Sequence, residues 1–276
     1  MPNAKVPTPL PQRLKIGLLT LLLALLSTLL WGIFPTLASP EPSFDELVQQ
    51  AFLATNQGNF SQAEALWSLL LDRDPDNPAL WTNRGNARVS QRHLTLALED
   101  FDQAVKLAPE APDPYLNRGV AHEGLGEWQA ALEDYNRVIA LDPTDAMAFN
   151  NRGNAYAGLG NWELALGDYQ HAVELEPKFI FAQANVVLAQ YQLGETAAAM
   201  QGMRNLVRKY PQFADMRAAL AVSLWHEHRQ AEAESHWVAV EGLDKRYTDR
   251  DWLVRDRRWP PRLIAAWDEF SSLSRS

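Results

Sequence analysis

The chain has 276 residues and no cysteine, which excludes a disulfide framework, a thiolate zinc site and a cysteine nucleophile. Positive charge is also short. With 25 Lys and Arg against 34 Asp and Glu, the formal net charge is −9. Phosphate binding needs a basic face, so nucleic acid is excluded as the main partner. No glycine-rich phosphate loop follows a strand pattern, and no nucleophile elbow occurs. Carboxylates such as Glu133 and Asp134 are spread over helical faces. These absences argue against an enzyme, and no cofactor is expected. The nearest approach to a metal cluster is His226, Glu227, His228 and His236. Residues two apart on a helix point to different sides, whereas a zinc-binding helix needs a spacing of three or four, so no metal site is expected either.

Long apolar runs are scarce as well, and the single one is at the N-terminus. Lys5, Arg13 and Lys15 precede a charge-free stretch of 19 residues, 16–34. Small residues then stand at the −3 and −1 positions of a cut after Ala38. This is the pattern of an export signal, and the run is also just long enough to span a bilayer. Two readings stay open, a cleaved signal and a retained membrane anchor. Both put basic residues on one side and Glu41, Asp45 and Glu46 on the other, so residues 44 onward are expected outside the cytoplasm, in a periplasm or lumen. Residues 1–43, with the proline-rich stretch 35–43, form the first segment.

What fills the rest is repetition. Asn83-Arg84-Gly85, Asn117-Arg118-Gly119 and Asn151-Arg152-Gly153 recur every 34 residues. Five repeats fall into register, 44–77, 78–111, 112–145, 146–179 and 180–213. Position 32 is Pro75, Pro109, Pro143, Pro177 and Pro211, each able to end a helix. Position 20 is Ala63, Ala97, Ala131, Ala165 and Ala199, small enough for two helices to approach. Position 8 is Ala51, Gly85, Gly119 and Gly153, assigned the same purpose on the first helix, until Val187 breaks the pattern. Position 15 is Gly58, Gly126, Gly160 and Gly194, at a turn that calls for a left-handed residue. Arg92 replaces it in repeat two, where a looser or differently shaped turn is expected. Position 24 carries the core of the second helix, Trp67, Phe101, Tyr135, Tyr169 and Met203.

These residues resemble the tetratricopeptide repeat (TPR) pattern across 44–213. The resemblance implies an all-α fold, an α-solenoid of antiparallel helix pairs with a concave groove lined by the first helices. A degenerate sixth repeat, 214–247, keeps Ala233 and Trp237 but has Lys245 at the proline position. The segment 248–276 is rich in Trp and Arg, and ends in an expected amphipathic helix with Leu263, Ala266, Trp267 and Phe270 on one stripe. Its expected role is to cover the apolar face of the last repeat. Stacking within the cap, contact with anionic lipid and contact with a partner are the uses open to Trp252, Trp259, Trp267 and the arginines around them. This tail is similar to the ends of some cyanobacterial and plastid TPR proteins.

Position 6 carries Asn83, Asn117, Asn151 and Asn185, with Asn86, Asn150 and Asn154 nearby. In TPR proteins this position faces the groove. Amides donate and accept, so such a ladder can clamp the backbone of an extended peptide; solvation, or hydrogen bonding between neighbouring first helices, is the alternative. The lysine clamp of TPRs that bind chaperone tails is absent. Position 7 carries Arg84, Arg118 and Arg152, and position 23 carries Asp100, Asp134 and Asp168. Cation and anion repeated together read as structural ion pairs between the two helices. The function implied is a non-catalytic scaffold that binds protein or peptide segments in its groove. Exported bacterial TPR proteins commonly hold subunits during assembly of membrane complexes, and similar factors assist photosystem assembly. A glycan-binding or enzyme-recruiting envelope subunit and a self-assembling structural element are the alternatives.

Overall fold

Each repeat proline sits two residues beyond the end of a helix, where the chain has already left helical geometry and the ring costs nothing. Pro78 and Pro112 stand instead at the first position of a helix, where the missing N–H is no loss. The computed structural model describes residues 41–273; the apolar run 16–34, Ala38 and the last three residues lie outside them. Contacts divide the chain between Leu47 and Val48. Before the division, Ser43 and Glu46 form a capping box at the start of α1 (Phe44–Asn56). The Ser43 N–H donates to Glu46 Oε2 at 2.7 Å and the Glu46 N–H to Ser43 Oγ at 3.2 Å, which holds the Glu46 carboxyl below its ordinary value.

The remaining first helices are α3 (Pro78–Ser90), α5 (Pro112–Leu125), α7 (Ala146–Gly158), α9 (Ile180–Gln192) and α11 (Ala214–His226). The second helices are α2 (Phe60–Arg73), α4 (Leu94–Leu107), α6 (Trp128–Leu141), α8 (Trp162–Leu175), α10 (Thr196–Lys209) and α12 (Gln230–Leu243). A short 3₁₀ turn (Lys245–Thr248), α13 (Arg250–Arg255) and α14 (Pro261–Leu273) complete the chain; the described residues hold no strand. From α2 onward, contacts run between consecutive helices and between successive first helices, α3 with α5 and α5 with α7. This is an all-helical solenoid, in which each repeat completes its core only against its neighbours.

The core explains the repeated small residues. The position-20 alanines are fully buried in all six repeats. The position-8 glycines make room first for a ring, and at Gly153 also for the backbone of the second helix, whose Ala165 carbonyl a Cβ would approach to 3.2 Å. A Cβ on Gly85, Gly119 or Gly153 would lie 2.5–2.6 Å from Phe101, Tyr135 or Tyr169. Where position 24 is Met203, valine is tolerated at 187. A donor at position 4 reaches back to the proline carbonyl of the preceding repeat: Trp81 Nε1 to Pro75 at 2.8 Å, Tyr115 Oη to Pro109 at 3.2 Å and Gln183 Nε2 to Pro177 at 2.7 Å.

Two expectations need correction. The turn at Arg92 is not looser. Arg92 adopts the left-handed conformation (φ 62°) of Gly58, Gly126, Gly160 and Gly194, and the following N–H returns to the Arg88 carbonyl as Asn161 returns to Tyr156. The helix ends dictate the turn, and an arginine bears the cost of the left-handed region. The tail does more than cover an end. α14 packs on α11 and α9, the first helices of repeats six and five, burying Leu263, Ala266, Trp267 and Phe270 on that side.

Candidate functional site

Arg118 sits on α5 over the ring of Tyr115 and forks onto Asp134 of α6, with Nη2 2.6 Å from Oδ1 and Nε 3.0 Å from Oδ2. Its Nη1 donates at 2.7 Å to Asp102, on the second helix of the preceding repeat. The same construction recurs. Arg84 binds Asp100 at 2.7 Å and Ser68 at 3.2 Å, and Arg152 binds Asp168 at 2.7 Å and Asn136 at 2.9 Å. Each arginine therefore joins three helices. The third partner, at position 25, was not visible in the sequence because its residue type varies while its acceptor oxygen does not. Burial pushes the Asp134 carboxyl above its ordinary value, and Arg118 opposes that push. Each of these arginines is committed through Nε and both Nη atoms to acceptors within the fold.

The asparagines divide into two groups. Asn83 and Asn86 on α3 and Asn117 on α5 are half-buried, and their side chains make no hydrogen bond among the described residues. Asn150, Asn151 and Asn154 on α7 and Asn185 on α9 form one network. Asn185 Nδ2 donates to Asn150 Oδ1 at 3.0 Å and Asn154 Oδ1 at 3.3 Å, Asn150 Nδ2 to Asn151 Oδ1 at 3.2 Å, and Tyr169 Oη to Asn154 Oδ1 at 3.0 Å. The network leaves the Asn151 amide nitrogen and several acceptor lone pairs unused, so it can still clamp a backbone.

The tail is pinned across α9 and α11. Asp215, buried at the start of α11, accepts from Trp259 Nε1 at 2.9 Å, from Tyr247 Oη at 3.3 Å and from Arg257. Burial opposes the charge on Arg257, yet Asp215 keeps it firmly protonated. Arg262 donates to the Tyr191 carbonyl at 3.0 Å and Arg250 to Asp268 at 2.7 Å, while Arg246 stacks on Trp252 at 4.8 Å. Arg246, Arg250, Arg257 and Arg258 of the tail are each paired with a carboxylate within the chain, and Trp259 and Trp267 are core residues. His226, the first of the histidine cluster, pairs with Glu269 at 2.9 Å.

Between α7, α9 and the tail lies a cleft of about 690 Å³. Asn150, Asn151, Asn154 and Asn185 form its floor, and Met147 and Phe181, 52% and 61% exposed, stand on its rim. Trp128, Glu123 and residues 256–261 of the tail close the other side. Asn83, Asn86 and Asn117 do not line it. The arrangement is binding chemistry: an apolar cleft with a few convergent polar groups. No nucleophile and base are paired in it.

Tetratricopeptide repeat models match residues 49–112, 82–146, 127–187 and 187–212, which together span most of the helical array. The chain belongs to the tetratricopeptide repeat family. Such arrays generally serve as non-catalytic scaffolds. No curated protein matches the chain. Among solved structures, the array is similar to the APC/C hetero-tetramer Cut9-Hcn1 (TM-score 0.67, 20% identity over 75% of this chain), of which it spans only 41%. It is also similar to a TPR protein from Parabacteroides merdae ATCC 43184 (TM-score 0.64, 20% identity, 83% of this chain and 92% of that one). A third similar structure is YrrB, described as a TPR protein with an unusual peptide-binding site (TM-score 0.52, 17% identity, 74% of this chain and 97% of that one). At these identities the likeness concerns the fold alone.

Proposed function

We propose that this TPR array is a non-catalytic scaffold, exported or membrane-tethered, that holds an extended segment of a partner protein in the cleft between α7, α9 and the tail. The observation that carries the reading is the floor of four amides beneath an apolar rim. Amides hold a peptide backbone whatever its sequence, and Met147 and Phe181 are flexible or flat apolar surfaces that accept varied side chains. YrrB, similar in fold, has a peptide-binding site of its own, which makes a peptide the first ligand class to test. The narrower role, assistance in assembling membrane complexes of the photosystem type, rests on the export-type N-terminus together with the array and the resemblance of the tail.

The test is a photo-crosslinking residue in place of Phe181 in the full chain, with partners recovered from detergent-solubilised membranes. Replacing Asn151 and Asn185 together by Ala should weaken the crosslink about tenfold, the value of one or two amide hydrogen bonds. Replacing Asn83 and Asn117 should leave it nearly unchanged. If the Asn151 and Asn185 pair has no effect at an unchanged melting temperature, the cleft is not where this protein works. Recovery of stoichiometric membrane-complex subunits supports the narrower role, and partners of other origin remove it.

A further inference from the structure

One tail residue reaches much further than the others. Arg258 lies 135 residues from Glu123 in sequence, yet its guanidinium pairs with the Glu123 carboxylate and donates to the Glu123 carbonyl at 3.1 Å. It also stacks over Trp128, 5.0 Å from the ring centre. Its backbone is held at φ 54°, a left-handed conformation that a residue with a Cβ rarely adopts without compensation.

The repeat architecture does not call for the receiving residues. Glu123 occupies position 12, where the other repeats place Thr55, Val89, Ala157, Tyr191 and Trp225. Only repeat three puts a carboxylate there, with a side chain 11% exposed. Tyr135 Oη donates to it at 3.0 Å, and among the described residues Arg258 is its one ion-pair partner. Burial pushes this carboxyl above the ordinary range and Arg258 pulls it back, so the site needs a cation when ionised. The pocket wall is shaped around the indole: a Cβ on Gly158 would lie 2.4 Å from Trp128. A buried carboxylate, a phenol and an indole face together make a socket for a planar guanidinium.

The occupant is held unevenly. Arg257 and Trp259 are anchored on buried Asp215, whereas the Arg258 side chain is 38% exposed and can leave without disturbing that anchor. The surrounding chain, 256–260, runs non-helically between α13 and α14 as a turn, with the Trp259 N–H donating back to the Leu253 carbonyl at 2.9 Å, and ends at Pro260. The cleft with the amide floor opens directly beside it.

We infer that Glu123, Trp128 and Tyr135 form an arginine socket at one end of the groove, that Arg258 is its internal occupant, and that the partner segment carries an arginine which takes its place. This rests on the groove reading above and adds to it the chemistry of the partner, an extended segment with an arginine next to an aromatic residue or proline. Exchange requires only that Arg258 swing outward while Asp215 keeps the tail docked.

The experiment titrates the full chain with a fluorescein-labelled peptide of its own residues 255–261, followed by anisotropy. Arg258→Ala should bind it about ten- to a hundredfold more tightly than the wild-type chain, the range of one charge-assisted hydrogen bond. Adding Glu123→Gln, or replacing the peptide's counterpart of Arg258 by Ala, should abolish the gain. Equal binding by wild type and Arg258→Ala, or no discrimination against the Ala peptide, overturns the inference. Should Arg258→Ala fail to fold, the wild-type chain decides. An excess of peptide must then accelerate amide hydrogen exchange at 256–260, and unchanged exchange overturns the inference. If it falls while the Phe181 crosslink still depends on Asn151 and Asn185, the groove reading stands without the socket. If neither holds, both are wrong.

Discussion

Replacing Arg118 by Met should destabilise the array strongly and leave the groove intact. Methionine keeps the aliphatic stem but removes every hydrogen bond from Arg118 to Asp134 and the link to Asp102. Asp134 is only 3% exposed, and the nearest remaining basic side chain is His122, its Nε2 3.9 Å away. Breaking a buried pair from one side costs about 3–5 kcal/mol. A second route to the figure is independent. The stranded carboxyl can escape by taking a proton, which caps the penalty at about 1.4 kcal/mol per pH unit above an ordinary aspartate pKa near ~3.9, or about 4 kcal/mol at pH 7. That cap fixes the sign of the pH dependence. In the variant the folded carboxyl titrates above its unfolded value, so its contribution favours folding at low pH and is lost as pH rises. The difference from wild type should shrink to about 1.5 kcal/mol at pH 5. Urea unfolding followed by far-ultraviolet circular dichroism at the two pH values measures both. A loss below about 1 kcal/mol at pH 7, or one that does not change with pH, would refute the assignment of Asp134 as a carboxylate kept charged by Arg118.

Three further substitutions test the backbone logic. Gly153→Ala gains about 1 kcal/mol of helix propensity but sets a methyl 2.6 Å from Tyr169 and 3.2 Å from the Ala165 carbonyl, so a net loss of about 1–2 kcal/mol is expected. Gly167→Ala, with nothing within 4 Å, should instead gain about 1 kcal/mol, and thermal melts of the two variants should move in opposite directions. Arg92→Gly relieves a left-handed arginine at φ 62° whose one ion pair among the described residues, 3.6 Å to Asp256, is exposed; a gain of about 1 kcal/mol is expected, and a lower melting temperature would count against the strain argument.

What could be read from the sequence follows from period. Residues that recur every 34 positions report packing, because stacked repeats meet the same neighbours each time. The buried alanines, the turn glycines and the Arg–Asp pairs all announce themselves in this way. Position 25 escaped notice because Ser68, Asp102 and Asn136 share an oxygen and not an identity. The turn at Arg92 was misjudged because the missing glycine was weighed above the helix ends that dictate the turn. The tail was the least legible part, since its contacts join residues far apart and occur once. One signal was available. Glu123 is the odd residue at its position, and in a repeat protein a buried departure from the pattern marks contact with something outside the pattern.

The contact between Arg258 and Glu123 also bears on how the array forms. A plain stack folds by adding neighbours, and either end can open without the rest noticing. Here a stretch 135 residues further along the chain returns to repeat three, closing a long loop whose entropy must be spent before the contact is gained. The helices from α5 onward are bracketed by that closure, while α2 to α4 lie outside it, reaching it by the packing of α4 on α5 and touching the tail through one exposed ion pair, Arg92 with Asp256, among the described residues. The socket therefore stands vacant on a growing chain until residues 256–260 have been made, and only then is the stretch from α5 onward closed into one body.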